Sequence, residues 1–207
     1  MLPSLYEKQD CSLARALEVV GERWTLLIMR DAFYGVRRFN DFSAHLDAPR
    51  TVLSTRLRTL VDAGLLERDP DPGHAGRYLY ELTGEGRSLW PALYALRSWG
   101  ERHAGRSVQP RRVFVHDECG ERLDDSARCP VCEVLPQPEH VIVKPLGRPG
   151  PGARTDPVAR GLLQPHRLLD VLPVPAPARL GAEVTDAQDG NTVNPPAASL
   201  VAPKQTQ

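Results

Sequence analysis

The sequence predicts a mainly α chain with one small β-hairpin, a short Cys/His hairpin behind it, and a disordered C-terminal tail. Three observations carry this prediction. Apolar residues recur at helical spacing in successive short segments as far as Trp99, and the pattern becomes strand-like only around residues 65–82. Two pairs of metal-ligand residue types, His116 with Cys119 and Cys129 with Cys132, stand close together after Gln109. Eleven of the 20 prolines fall between Pro145 and Pro203, so the composition breaks near residue 145 and the globular part lies before it. The chain therefore divides into residues 1–108, 109–144 and 145–207.

Each element can be justified in turn. In Ser12 to Val20, Leu13, Ala16, Leu17 and Val20 share a helix face, with Ser12 as the N-cap and Gly21 as the stop. Residues Arg23 to Phe33 form a second helix with Trp24, Leu27, Ile28 and Ala32 on one face. The loop YGVRR leads to a third, Phe39 to Leu46, whose buried side is Phe39, Phe42 and Leu46.

The segment APRTVLSTRLRTLVDAGLLER holds a fourth helix. Pro49 starts it, because a first-turn N–H has no intrahelical partner in any case, and Gly64 ends it. Leu53, Leu57, Leu60 and Val61 make its apolar stripe, while Arg50, Thr51, Ser54, Thr55 and Arg58 lie opposite. Short polar side chains flanked by guanidinium groups let a helix enter a DNA major groove and reach base edges and phosphates. An ordinary solvated helix face has the same composition. The next segment weighs on that choice: Leu65 to Asp69 reads as a strand, PDPGHAG as a turn-rich tip, and RYLYEL at 77–82 as the returning strand. A helix-turn-helix whose second helix runs into a two-stranded hairpin is a winged helix. Thr83 then caps one last long helix, in which Leu89, Leu93 and Leu96 are joined by Trp90, Tyr94 and Trp99. That band is wider than one small core needs, so it serves a dimer interface shared with the first helix, or else it simply closes the domain.

Charge bounds the function. The 26 basic and 26 acidic residues balance, and residues 1–110 carry 15 basic against 14 acidic, which excludes binding to nucleic acid through bulk charge. Affinity has to come from local placement, with a modest salt dependence. All but three basic residues are arginine, which suits bidentate recognition of phosphate or guanine, although GC-rich coding produces the same bias. No stretch has the length of a membrane span and the first ten residues lack the regions of a signal peptide, so a cytoplasmic protein with reduced cysteines is expected. No glycine-rich phosphate loop, nucleophile elbow or HExxH pair points to an enzyme.

Taken together, CSLARALEVVGERWTLLI at 11–28, RRFNDF at 37–42, VLSTRLRTLVDAGLLER at 52–68 and YELTGEGRSL at 80–89 resemble the HxlR-type transcriptional regulators, a MarR-related branch of the winged helices. The resemblance runs from about Cys11 to Arg102. It implies a homodimeric DNA-binding regulator, often a repressor, that meets near-palindromic double-stranded DNA with two recognition helices. Carried over to this sequence, Arg50, Thr51, Ser54 and Thr55 are the candidates for base contacts, Arg37, Arg38 and Arg58 for phosphate contacts, and His74 with Arg77 for phosphate contacts from the wing. Asp69 and Asp71 at the wing tip depart from this picture, since they repel phosphate. Some relatives sense oxidants with a cysteine at the position of Cys11, where a helix N-terminus lowers a thiol pKa; the alternative is a small residue that packs at the dimer contact. The resemblance names no effector.

The extension is read on its own residues. Nine residues separate the pair His116 and Cys119 from the pair Cys129 and Cys132, and a short hairpin can bring both pairs around one structural zinc. A thiol redox pair, or no site at all, are the other readings. From Pro145 the chain reads as a disordered tail with one apolar island, GLLQPHRLLDVLPVP at 161–175, as a docking segment or a solvated extension. The competing function is a protein-interaction adaptor that has lost DNA binding.

Overall fold

The computed structural model describes residues 6, 9–103, 112–147 and 152–173 of the 207-residue chain. Four helices come first: α1 (Ser12–Val20), α2 (Thr25–Phe33), α3 (Phe39–Leu46) and α4 (Arg50–Asp62). Strands β1 (Leu66–Pro70) and β2 (Tyr78–Leu82) pair antiparallel in the register Leu66 opposite Leu82 and Pro70 opposite Tyr78. Then come α5 (Gly84–Ser88), α6 (Trp90–His103), β3 (Arg112–His116), β4 (Val141–Pro145), α7 (Pro157–Gly161) and β5 (His166–Arg167).

The apolar periodicity of the sequence becomes the core. Ile28, Met29 and Phe33 of α2, Phe42 of α3 and Leu53, Leu57 and Leu60 of α4 are sealed from solvent. Each such side chain contributes about 1.5–3 kcal/mol relative to an exposed one. Gly64 ends the α4 region with φ +72°, a left-handed backbone that leads directly into β1. Thr83 caps α5 as the sequence predicts, its hydroxyl accepting from the Gly86 amide at 3.0 Å.

Four local expectations change. The N-cap of α1 is Cys11, not Ser12, and its side chain makes no capping bond. On α2 the inward face is Ile28, Met29, Ala32 and Phe33, while Leu27 stays exposed and Trp24 sits at the cap. The single long helix after Thr83 is two helices, because Pro91 has no N–H to donate back to Arg87 and the chain restarts at Trp90. The hairpin strands begin one residue later than the alternation suggests.

The largest correction concerns the tail. Beyond Pro145, residues 152–173 are folded onto the rest of the chain, with Val158, Leu162, Leu168 and Leu172 buried. Their backbone is tied in as well: the Leu168 amide donates to Val141 O at 2.9 Å, Leu169 to Phe33 O at 2.9 Å and Leu172 to Gly35 O at 3.1 Å. Gly35, at φ +80°, lies where an added Cβ would come within 1.7 Å of Asp170 O, so only glycine lets this strap cross. The apolar island docks on its own chain. Residues 174–207, the rest of the predicted tail, lie outside the described residues.

Strands β3 and β4 pair antiparallel, Phe114 opposite Val143, and β5 adds to the free edge of β4. Phe114 packs among Tyr34, Trp90 and Tyr94, with ring centroids 5.4–6.4 Å apart. One hydrophobic core therefore runs from the helices into the Cys/His extension.

Candidate functional site

Helix α4 is anchored by its buried leucines and turns Thr51, Ser54, Thr55 and Arg58 to solvent, with Arg50 exposed at its first turn. Arg50 is positioned rather than loose: its guanidinium lies 4.9 Å from the Phe39 ring centroid and donates to Asn40 Oδ1 at 3.3 Å. Thr55 Oγ1 donates back to Thr51 O at 2.9 Å, which fixes its rotamer on the same face. Asn40 was missed in the sequence; only its place three residues after Arg37, at the start of a helix, could have flagged it.

The arginines before α3 take other partners. Arg37 pairs with Glu81 at 2.5 Å and donates to Leu169 O at 3.2 Å, so it ties α3 to the wing and to the strap. Arg38 donates to Asp71 Oδ2 at 3.0 Å, and His74 Nδ1 lies 3.2 Å from the same oxygen. Asp71 is the reverse of a repelling surface acid. It is buried, it takes the Gly73 amide on its other oxygen at 2.9 Å, and its charge is balanced by Arg38. The Arg38 hydrogen bond and the Gly73 amide hold its carboxyl at about 2. Asp69 remains exposed.

Between α4 and the wing lies a groove of about 350 Å³ bordered by Arg38, Asn40, Arg50, Arg77 and Tyr78. Arg77 stands exposed on its outer side, and Arg68, another residue the sequence reading missed, stacks 4.0 Å over Tyr78. Three of the residues expected to contact DNA, Arg38, Arg50 and Arg77, thus border one groove beside α4. Arg37 does not join them.

The second cluster closes as its spacing predicts. One ligand atom from each of His116, Cys119, Cys129 and Cys132 lies within 4.8 Å of every other. Cys119 Sγ is 3.6 Å from His116 Nδ1 and 3.4 Å from Cys129 Sγ. Ligands about 2.3 Å from a tetrahedral ion stand about 3.7 Å apart, so the four fit one ion. The end of β3 supplies His116, and the turn to Gly120 at φ +72° brings Cys119 round beside it. On the other side the Cys132 amide points to Cys129 Sγ at 3.4 Å and the Glu133 amide donates to Cys129 O at 2.9 Å, a tight turn that stacks the two thiols. Burial pushes the Cys129 thiol up, but the Cys132 amide, Cys119 and His116 outweigh it and bring it down to about 7. Cys132 is pushed up to about 12 by its bond with Cys119 and by burial. Three thiols this close cannot all ionise without a cation among them, and a metal ion would supply it. The cluster can hold a metal.

Cys11 is exposed at the start of α1, apart from this cluster. Among the described residues no helix is long and apolar enough to cross a membrane.

A helix with a polar, arginine-flanked face, set on a helical core and flanked by a two-stranded hairpin, defines a winged helix-turn-helix. Comparison with known proteins agrees. The model of the HxlR-like helix-turn-helix family matches residues 19–108. Uncharacterized HTH-type transcriptional regulators of Mycobacterium bovis (Mb3122) and Mycobacterium tuberculosis (Rv3095) are each 43% identical over 142 residues, which is 68% of this chain and 87% of theirs. A match of that length in 207 residues necessarily spans the Cys/His segment at 116–132. The crystal structure of PA1607, a transcription factor candidate, superposes with a TM-score of 0.53 at 34% identity, covering 58% of this chain and 84% of that one. The chain belongs to the HxlR-like helix-turn-helix family.

Proposed function

We propose that this protein is a sequence-specific, homodimeric DNA-binding transcriptional regulator of the cytoplasm, a repressor rather than an enzyme, and that α4 reads a near-palindromic operator. The observation that carries the reading is the two-sided character of α4: three leucines wholly buried behind it, and Arg50, Thr51, Ser54, Thr55 and Arg58 exposed before it. Arg50, Thr51, Ser54 and Thr55 meet base edges; Arg58, Arg38 and the wing pair His74 and Arg77 meet phosphate. Arg37 contributes by holding the turn before α3 in place.

Dimerisation is supported by apolar surface that has no cover among the described residues. Leu13 and Leu17 of α1 and Leu96 and Trp99 of α6 are all exposed, with Leu13 at 66% and Trp99 at 56%. Two protomers joined there present two reading helices about 34–36 Å apart, one turn of DNA. The Cys/His cluster holds a structural zinc, because four protein ligands leave no position for a reacting water.

Both parts are tested on the full chain. Mobility shift on operator fragments selected from genomic DNA should show binding that Arg50→Ala combined with Ser54→Ala removes while the fold is retained. Failure to select any DNA with metal-replete, reduced protein would favour the protein-interaction adaptor. Metal analysis should return about one zinc per chain.

A further inference from the structure

The strap that crosses at Gly35 is gripped at two places, and each grip serves a different site. At the first, Arg167 of β5 closes the neck of the loop that carries the Cys/His cluster. It pairs with Asp117, the residue after His116, and donates to Glu139 O at 3.0 Å where the loop returns. Across the same neck the Asp117 amide donates to His140 O at 3.0 Å. At the second, Leu169 holds the turn ahead of α3: its amide donates to Phe33 O at 2.9 Å and its carbonyl accepts from Arg37 Nη2 at 3.2 Å. Arg37 pairs in turn with Glu81 of β2 at 2.5 Å, and its carbonyl accepts from the Tyr80 amide at 2.8 Å. One residue thus fastens the turn to the wing. Only Leu168, whose amide donates to Val141 O at 2.9 Å, lies between the two grips. Leu169 takes φ +68°, a left-handed backbone that is costly for a leucine and persists only where its surroundings over-determine it.

We infer that a thiophilic divalent cation in the Cys/His cluster regulates DNA binding, by holding Arg167 and, through Leu169 and Arg37, fixing the wing beside α4. This rests on the proposals that the cluster holds zinc and that α4 meets DNA. The strap is the element with two states. With the cation bound, His116 is fixed, Asp117 and Glu139 O stay together, and Arg167 keeps both acceptors. With the cation removed, the loop opens, Arg167 loses them and Leu169 relaxes its strained backbone. Arg37 is then left with Glu81 alone. A wing that is loose before binding has to be ordered by the DNA, which costs affinity, so the loaded protein is the tighter binder. Linkage makes the effect reciprocal: operator DNA tightens zinc by the same factor. A purely structural ion would shape the loop at 117–137 and leave the strap and the wing as they are.

The test is hydrogen exchange read by mass spectrometry on the full chain, zinc-loaded and chelator-stripped, beside zinc-loaded Arg167→Ala. Stripping should raise exchange at 166–172 and at 78–82 by at least about fivefold while α4 keeps its protection. Loaded Arg167→Ala, with its zinc still bound, should show the same rise at 78–82. On operator fragments the loaded native protein should bind about 5- to 150-fold tighter than the stripped protein. Strap and wing unchanged by stripping, a wing unchanged in Arg167→Ala, or equal operator affinity in the two metal states would each overturn the inference and leave the zinc and DNA proposals standing. If Arg167→Ala does not fold, the native chain in its two metal states decides. A chain that takes up no zinc in metal analysis, or that binds DNA in neither state, ends the corresponding proposal and the inference with it.

Discussion

The winged head and the extension behind it hold their shape in different ways. In the head, α2, α3 and α4 close over Phe33, Phe42, Leu53, Leu57 and Leu60, all buried, and the buried carboxylates Asp31 and Asp71 are each paired with an arginine. The extension has a short β3–β4 ladder, one aromatic anchor in Phe114, and a loop from Asp117 to Gln137 shaped by turns around His116, Cys119, Cys129 and Cys132. The first is stabilised mainly by area removed from water. The second buries a smaller set, Phe114, Leu123, Val141 and Val143, and gathers four groups that could hold a metal ion, which we propose it needs. One chain thus joins a head built on a helical core to an extension built around a Cys/His cluster, and the joint runs through Phe114 and the strap at 152–173.

The contrast can be broken most forcefully at the metal. Removal of zinc with a strong chelator, or Cys129→Ser, should unfold the loop at 117–137 while α2 to α4 stay folded; hydrogen exchange read by mass spectrometry should show protection lost in the first region and kept in the second. Leu57→Ala is the converse change. It should cost the head about 2–5 kcal/mol in chemical denaturation through a cavity behind α4, with metal content unchanged. At the joint, Gly35→Ala forces a Cβ against the Asp170 carbonyl at a positive φ. Proteolysis should then cut near residues 152–173 while the head persists, and intact protection there would contradict the strap's dependence on that crossing.

A smaller effect is expected from pH. Burial holds His166 below its ordinary value, and its Nδ1 faces Gln164 O at 3.4 Å while Arg112 adds repulsion and Asp170 a weaker attraction. A lowered histidine pKa means that the released strap takes up a proton before the docked one. Docking is therefore complete above about pH 6.5 and weakens as pH falls through that value. Exchange rates at 166–172 should rise on acidification from pH 7.5 to about pH 5.5, and rates that stay flat would remove His166 from the account.

Much of this was legible in the residues. The stripe Leu53, Leu57, Leu60 placed α4 with its polar face outward, and the H-x-x-C and C-x-x-C spacing picked out the four residues that the fold gathers, because both signals are local. What the sequence could not display was pairing across distance. Arg37 looks like a phosphate contact until Glu81 and Leu169, 44 and 132 residues on, are seen against it. Asp71 looks like an exposed repellent until Arg38 is seen to neutralise it. The strap is hard to read because prolines run through the whole of 145–203, and its four buried residues, Val158, Leu162, Leu168 and Leu172, fall in two pairs on either side of Pro165 and make no continuous stripe. The break at Pro91 was readable and was outweighed by a strong leucine repeat.

The central claim is that α4 reads DNA, and it is tested most directly by incubating the purified, zinc-loaded, reduced protein with fragmented genomic DNA and sequencing what is retained, beside the double variant Arg50→Ala, Ser54→Ala. The expected result is enrichment of a near-palindrome whose affinity drops by about 10- to 100-fold or more in the variant, with unchanged thermal stability. Absence of any enriched sequence, or equal enrichment by a folded variant, would contradict it.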